Sequence, residues 1–204
     1  MRSSDYRGRA RNDLRGNLGS ILLISLIFLI LTVVVPLIPF IGGIAGLIII
    51  GPLTLGFVLC IRHISHGYKC EVGQLFSGFN NFVGPFVFYF LSSLFVVLWS
   101  LLFFIPGFIK TLEYSMGYYI LADNPGMDGN EARIQSMKLM KGHRWELFCL
   151  EFSFIGWHIL SALTFGILSI YVAPYRELSL YHFYQEISGQ NKAKLYEAVD
   201  QTVA

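Results

Sequence analysis

Four side chains that commonly bind soft metal ions lie close together at the end of an apolar segment. Cys60, His63, His66 and Cys70 are separated by three, three and four residues, so a helix would place them on nearly one face. Thiolate and imidazole groups are ligands that zinc and copper accept. Gly67, however, is expected to end the helix before Cys70. We therefore expect packing at a membrane edge, with a metal site as the alternative.

The cysteines do not indicate a disulfide framework. The chain has three, Cys60, Cys70 and Cys149, and no Cys-x-x-Cys motif. An odd number without such spacing is not typical of a bridged or zinc-ribbon fold. We interpret all three as small packing residues.

An acid and a base lie within the apolar segments near the C-terminus. If "TFG", residues 164–166, is the turn of a tight antiparallel hairpin, residues at equal depth have numbers that sum to about 329, since each helix rises 1.5 Å per residue. Glu151 then comes level with Leu178, and Arg176 with Ser153. An unpaired charge at this depth is costly. We predict that Glu151 and Arg176 form a buried ion pair.

Other polar side chains in apolar segments are candidates for buried contacts. The hairpin register places His158 level with Tyr171, and Glu177 is a rival partner for other groups near Arg176. Lys110 and Glu113 are three residues apart and can pair on one helical face. Lys110 can instead extend to the headgroups.

Motifs of common enzymes are absent from the sequence. There is no Gly-x-Ser-x-Gly, His-Glu-x-x-His, P-loop or Gly-x-Gly-x-x-Gly. Asp123 and Asp128 flank "NPG", where turn formation and helix capping account for both. We therefore expect no enzymatic activity and no cofactor.

Composition indicates the class of protein. Hydrophobic residues make up 54% of the 204-residue chain and charged residues 14%, whereas soluble domains have about 25% charged residues. This balance predicts an integral membrane protein. The formal net charge is only +2, and the basic residues flank apolar segments, so nucleic acid is not an expected partner.

Turn signals divide the apolar sequence into predicted membrane spans. We predict a single domain, residues 1–204, that forms an all-α polytopic transmembrane bundle with six spans at 17–35, 41–61, 82–103, 106–122, 146–163 and 166–187. One long helix over 146–175 would reduce the number to five. Six spans with both termini in the cytoplasm place fourteen of the 15 basic residues on the inner side or in the last helix. The positive-inside rule therefore favours six.

A basic amphipathic segment precedes the fifth span. Residues 128–142 predict a helix capped by Asp128, with Glu131 three residues later. We expect this helix to lie at the inner membrane surface, where basic side chains meet anionic lipid. The basic residues of this predicted helix are Arg133, Lys138 and Lys141, and Arg144 follows it.

Several sequence stretches together resemble a known family. They are "ARNDLRGN", "YSMGYYILADNPGMDGNEARIQSMKLMKG", "FSFIGWHILSALTFGIL" and "APYRELSLYHFY". The chain resembles, over about residues 9–184, a bacterial family of predicted integral membrane proteins that is common in Gram-positive species and classed as a domain of unknown function. That family is distantly similar to a membrane domain attached to glycerophosphodiester phosphodiesterases. The resemblance implies a multi-pass protein of the bacterial cytoplasmic membrane and no known active site.

Function classes follow from these features. The preferred interpretation is a non-enzymatic membrane protein that binds lipid, preferably anionic, or another membrane protein, in assembly, stress response or immunity. The alternative is a small-solute transporter or channel, which requires ionisable groups near the membrane midplane. A membrane-embedded lipid enzyme is the third class.

Overall fold

The computed structural model describes residues 3–34, 42–102, 104–164 and 166–203. Every regular element in these ranges is helical, which confirms the predicted all-α class. A 3-10 helix covers Ser77–Phe79. The α-helices are α1 (Ser3–Val34), α2 (Gly42–Ser65), α3 (Val72–Leu75), α4 (Val83–Leu102), α5 (Phe104–Tyr114), α6 (Gly117–Asp123), α7 (Gly129–Leu139), α8 (Arg144–Phe152), α9 (Ile155–Leu163) and α10 (Ser169–Val203).

Three helical segments of the described chain are long and apolar enough to cross a membrane. They are Ala45–Ser65, Val83–Leu102 and Arg144–Leu163, the last formed by α8 and α9 together. A fourth results if the two parts of α1, Ser4–Leu14 and Leu18–Val34, count as one bent span. The two parts meet at 104°. These segments correspond to four of the six predicted spans.

Large apolar side chains on the outside of the protein support a membrane environment. Leu101 is 85% exposed, and Ile105, Leu163 and Ile167 are each 72% exposed. Soluble monomers rarely expose contiguous apolar surface of this kind. In a membrane, these side chains contact lipid instead of water.

The fourth predicted span, 106–122, is divided between α5 and α6 by a side chain from α7. The buried hydroxyl of Ser136 donates to Glu113 O at 2.7 Å and accepts from the backbone N–H of Met116 at 3.2 Å. It therefore provides the hydrogen bonds that a continuous helix would make here, which is a recognised cause of a helix break. Neither α5 nor α6 alone has the length to span a membrane.

The last two predicted spans form a hairpin and not one long helix. α9 ends at Leu163 and α10 begins at Ser169. Gly166 between them has φ of 83°, a left-handed conformation that suits glycine. The alternative of a single helix over 146–175 is therefore wrong. α10 is long, but it has Arg176 and Glu177 in its apolar half.

The segment after α2 folds back against that helix. Gly67, with φ of 82°, reverses the chain after α2 ends at Ser65. The return brings the Cα atoms of Cys60 and Cys70 to 5.4 Å, and their sulfurs form a disulfide. The interpretation of these two cysteines as packing residues is therefore wrong. Gly67 indicated the end of the helix, but no sequence pattern indicated that the returning chain brings these two cysteines together.

α7 packs on protein along one face. Asp128 caps its first turn by accepting from Asn130 N at 3.0 Å. Ala132, Ser136 and Met140, four residues apart, are fully buried. Because this face contacts α4, α5 and α6, the helix predicted at 128–142 is anchored to the bundle by protein contacts.

The turn predicted at 36–43 falls largely on residues 35–41, which lie outside the described ranges, as does residue 165 of the hairpin turn.

Candidate functional site

The structure brings Glu151 and Arg176 together across the hairpin of α8–α9 and α10. Arg176 Nε donates to Glu151 Oε2 at 2.9 Å, and Arg176 Nη2 donates to Glu151 Oε1. This is the bidentate geometry in which a guanidinium binds a carboxylate most strongly. The hairpin register read from the sequence thus places the two groups within reach.

A second acid shares the same guanidinium. Arg176 Nη1 donates to Glu177 Oε1 at 2.8 Å, and the hydroxyl of Tyr119 donates to Glu177 Oε2 at 2.6 Å. We call Glu151, Arg176, Glu177 and Tyr119 the charge cluster. With both acids ionised, its net charge is −1. Sequence reasoning missed Tyr119, because it lies 58 residues from Glu177 along the chain and no local pattern joins the two.

A cavity of about 280 Å³ adjoins the charge cluster. Its walls come from α1, α2, α9 and α10, and we call it the intramembrane cavity. Its polar lining includes Thr54, Ser169, Arg176 and Glu177. A cavity with ionisable groups among apolar helices is the usual setting of a functional site in a membrane protein.

His158 and Tyr171 do not form the contact predicted for them. The imidazole of His158 is exposed and lines the intramembrane cavity. The ring of Tyr171 lies 6.2 Å from that of Tyr175, one turn along α10. Within the described chain, no hydrogen bond or ring contact joins His158 to Tyr171.

A second buried acid is neutralised by two bases. Lys110 Nζ lies 2.6 Å from Glu113 Oε2, and Arg144 Nη2 lies 2.6 Å from Glu113 Oε1. Glu113 is 4% exposed. Because Glu113 is buried and has two cationic partners from its own protein, its charge is already balanced, and the group joins α5 to α8.

A larger cavity, of about 680 Å³, lies where α2 and α6 end against α7 and α10. We call it the polar cavity. Arg62 Nη1 donates to Ala122 O at 2.7 Å and lies 3.4 Å from Asp123 Oδ1, and the hydroxyl of Tyr184 donates to Asp123 Oδ2 at 2.7 Å. Lys138 also lines this cavity and is exposed. Neutral donors complete the lining: Asn124, Gln135 and Ser188.

The basic residues around α7 divide into two groups. Arg133 donates to Asn130 Oδ1 at 2.8 Å and lies 4.5 Å from the Phe95 ring centre, and Arg144 binds Glu113. These two guanidinium groups therefore contact protein, which differs from the lipid contact predicted for them. Lys138 and Lys141 are exposed.

The Cys and His residues near the end of α2 do not converge on one point. His63 Nδ1 lies 3.0 Å from Leu59 O, and His66 Nδ1 lies 2.7 Å from Arg62 O. Each of these ring nitrogens contacts a carbonyl one turn back in the helix, while Cys60 and Cys70 bind each other. Among the described residues, no group of three or more His, Cys, Asp or Glu is arranged to hold a metal ion.

Two polar contacts were not foreseen from the sequence. Arg62, Asp123 and Tyr184 meet from three helices, and His182 Nε2 lies 2.8 Å from Asp13 Oδ2 of α1. The separation between these residues along the chain is large, so no local pattern signals either contact.

Comparison with known proteins identifies a family and no function. A search of curated proteins finds no match, and neither does a search of solved structures. A family model with the description "Protein of unknown function (DUF975)" matches residues 1–112 and 101–191. These two ranges cover nearly the whole chain and agree with the resemblance found in the sequence. The protein therefore belongs to the DUF975 family of proteins of unknown function.

Proposed function

We propose that this protein is a non-enzymatic integral membrane protein that binds the phosphate of an anionic lipid headgroup in the polar cavity. The observation that carries the proposal is that Arg62 and Lys138 both line a cavity of about 680 Å³. Arg62 is fixed by Ala122 O and Asp123, so it is held in position before a ligand arrives. Pre-organised donors bind at a lower entropic cost.

The charges of the polar cavity suit one phosphate. Arg62 and Lys138 are cationic and Asp123 is anionic, so the lining carries a net charge of +1. Lysine binds phosphate as a point charge, and arginine binds it through paired N–H groups. Both oxygens of Asp123 already contact protein groups, which makes this acid a support for Arg62 and a poor general base.

The proposed topology has six spans with both termini in the cytoplasm. The polar cavity joins the ends of α2 and α6 to Tyr184 of α10, and Asp13 of α1 contacts His182 on the same part of α10. Both terminal segments therefore lie at the same end of the bundle as the exposed lysines of α7. Positively charged ends of this kind remain in the cytoplasm.

A reporter fusion tests this topology. Green fluorescent protein fused after Ala204 should fluoresce, and alkaline phosphatase at the same point should be inactive, because neither reporter is exported. The Cys60–Cys70 disulfide argues for the opposite orientation, since disulfides persist in oxidising compartments. Active phosphatase at the C-terminus would therefore show that the protein has the opposite orientation to the one proposed.

The headgroup site is tested by a pair of lysine variants. Lys138→Gln removes a cation from the polar cavity, whereas Lys141→Gln removes an exposed cation that does not line it. We expect Lys138→Gln to weaken retention of phosphatidylglycerol by about fivefold, which corresponds to about 1 kcal/mol per surface charge. Native mass spectrometry from mixed-lipid nanodiscs measures the retained lipid.

Lys141→Gln serves as the matched control and should retain the lipid as the unmodified protein does. Equal losses in the two variants would mean a general attraction of the basic surface. No loss in Lys138→Gln would contradict the headgroup site.

Small-solute transport is the second candidate function. It is favoured by the charge cluster beside the intramembrane cavity, since transporters hold substrates at ionisable groups between spans. Uptake into proteoliposomes that contain the purified protein would separate this function from lipid binding alone.

A further inference from the structure

We propose that the intramembrane cavity binds a small alkylammonium cation against the carboxylate of Glu177. This site is distinct from the polar cavity, and the inference does not depend on headgroup binding there. It rests on the charge balance, the walls and the size of the cavity.

The charge cluster has one negative charge more than it has positive charges. Glu151 takes two donors of Arg176, so these two groups neutralise each other. Glu177 receives the third donor of Arg176 and a neutral hydroxyl from Tyr119, and neither supplies a further positive charge. Among the described residues that line the cavity, Arg176 is the one arginine or lysine. These side chains are partly buried among apolar helices, where a net charge is costly, so a bound cation stabilises this arrangement.

The carboxylate of Glu177 retains the capacity to bind a ligand. Each of its oxygens accepts one hydrogen bond in the structure, at 2.8 Å from Arg176 and at 2.6 Å from Tyr119. A carboxylate has about four lone-pair positions, so acceptor positions remain. These two contacts fix the orientation of the carboxylate at the cavity wall.

The aromatic part of the cavity lining is suited to an organic cation. Phe28 and Phe57 both line the cavity, and their rings stack on each other at 4.6 Å between centroids, so each ring has one covered face and one face free of this contact. Aromatic faces attract cations, and quaternary ammonium groups are a common ligand of aromatic sites. Thr54 also lines the cavity, and it donates its hydroxyl proton to Ile50 O at 2.7 Å.

The size of the cavity favours a small ligand over a hydrated metal ion. A volume of about 280 Å³ corresponds to roughly nine waters at about 30 Å³ each. Hard cations such as Ca²⁺ take six to eight oxygen ligands, whereas much of this lining is hydrocarbon, from Phe28, Phe57, Val172 and Ala173. A cation with a few carbon atoms fits both the volume and the mixed lining.

Calorimetric titration of the purified protein in detergent tests the proposal. The probes are ethylammonium and tetramethylammonium chloride at pH 8, where both probes are cationic. We expect saturable binding of at least one probe. Glu177→Gln keeps an acceptor for Tyr119 but removes the charge, and we expect it to weaken binding by about tenfold or more.

Two further variants make the result decisive. Ala173→Leu narrows the cavity without changing any charge and should weaken binding to a similar extent. Glu146→Gln removes an exposed acid of α8 outside the cavity and should bind as the unmodified protein does. If Glu177→Gln does not fold, Ala173→Leu decides. Absence of saturable binding to the unmodified protein would overturn the proposal, as would full affinity in either cavity variant.

Discussion

Replacement of Arg176 by Gln is expected to destabilise the protein by about 3 kcal/mol, the lower end of the cost of removing one partner of a buried ion pair, because these side chains are partly buried. Arg176 is the guanidinium between Glu151 and Glu177, so its loss leaves two acids facing each other in an apolar surrounding. Glu151→Gln should cost less, because Glu177 still balances the charge of Arg176. Thermal unfolding in detergent, followed by tryptophan fluorescence, measures both effects.

Two further variants separate charge from geometry at the same position. Arg176→Lys keeps the charge but not the paired N–H groups. We therefore expect its stability to lie between that of the unmodified protein and that of Arg176→Gln. Arg11→Gln removes an exposed arginine of α1 and should leave the transition unchanged. If Arg176→Gln unfolds at the same temperature as Arg11→Gln, the charge cluster does not stabilise the hairpin.

Replacement of Gly56 by Ala is expected to cost about 3 kcal/mol, at the upper end of the usual range for overpacking. A Cβ atom at this position would meet the backbone carbonyl of Leu75 well inside van der Waals contact. A Cβ atom added at Gly78, on the returning segment, would likewise meet the backbone oxygen of Pro52 in α2. Because both obstacles are backbone atoms, side-chain rearrangement cannot relieve the clash, and the segment after α2 must separate from the helix.

Gly73→Ala provides the matched control for this prediction. Gly73 belongs to the same returning segment, in α3, and an added Cβ there has no neighbour within 4 Å. Alanine favours a helix relative to glycine, so stability should be equal or slightly higher. The rate of cleavage by protease between α2 and α4 reports separation of the segment. Equal cleavage of Gly56→Ala and Gly73→Ala would contradict the tight contact.

The apolar segments and the position of the charge cluster were predictable from local patterns. Segments without acids over 18 residues or more indicate membrane helices, and the structure has such helices at 45–65 and 83–102. The Glu151–Arg176 contact was predictable because a short turn fixes the register of a hairpin, and helical rise then converts residue number into depth. Capping by Asp128 likewise depends on neighbours along the chain.

The features that only the tertiary structure decided involve groups far apart in sequence. Ser136 of α7 bonds to the backbone at the break between α5 and α6, and Tyr119 of α6 binds Glu177 of α10. The meeting of Arg62, Asp123 and Tyr184 depends on three helices ending at one place. The Cys60–Cys70 disulfide and the contact of Gly56 with Leu75 depend on the return of the segment that follows α2. Apart from Gly67, which indicated the end of α2, none of these leaves a periodic or short-range signal, because each is set by how helices pack once the local elements have formed.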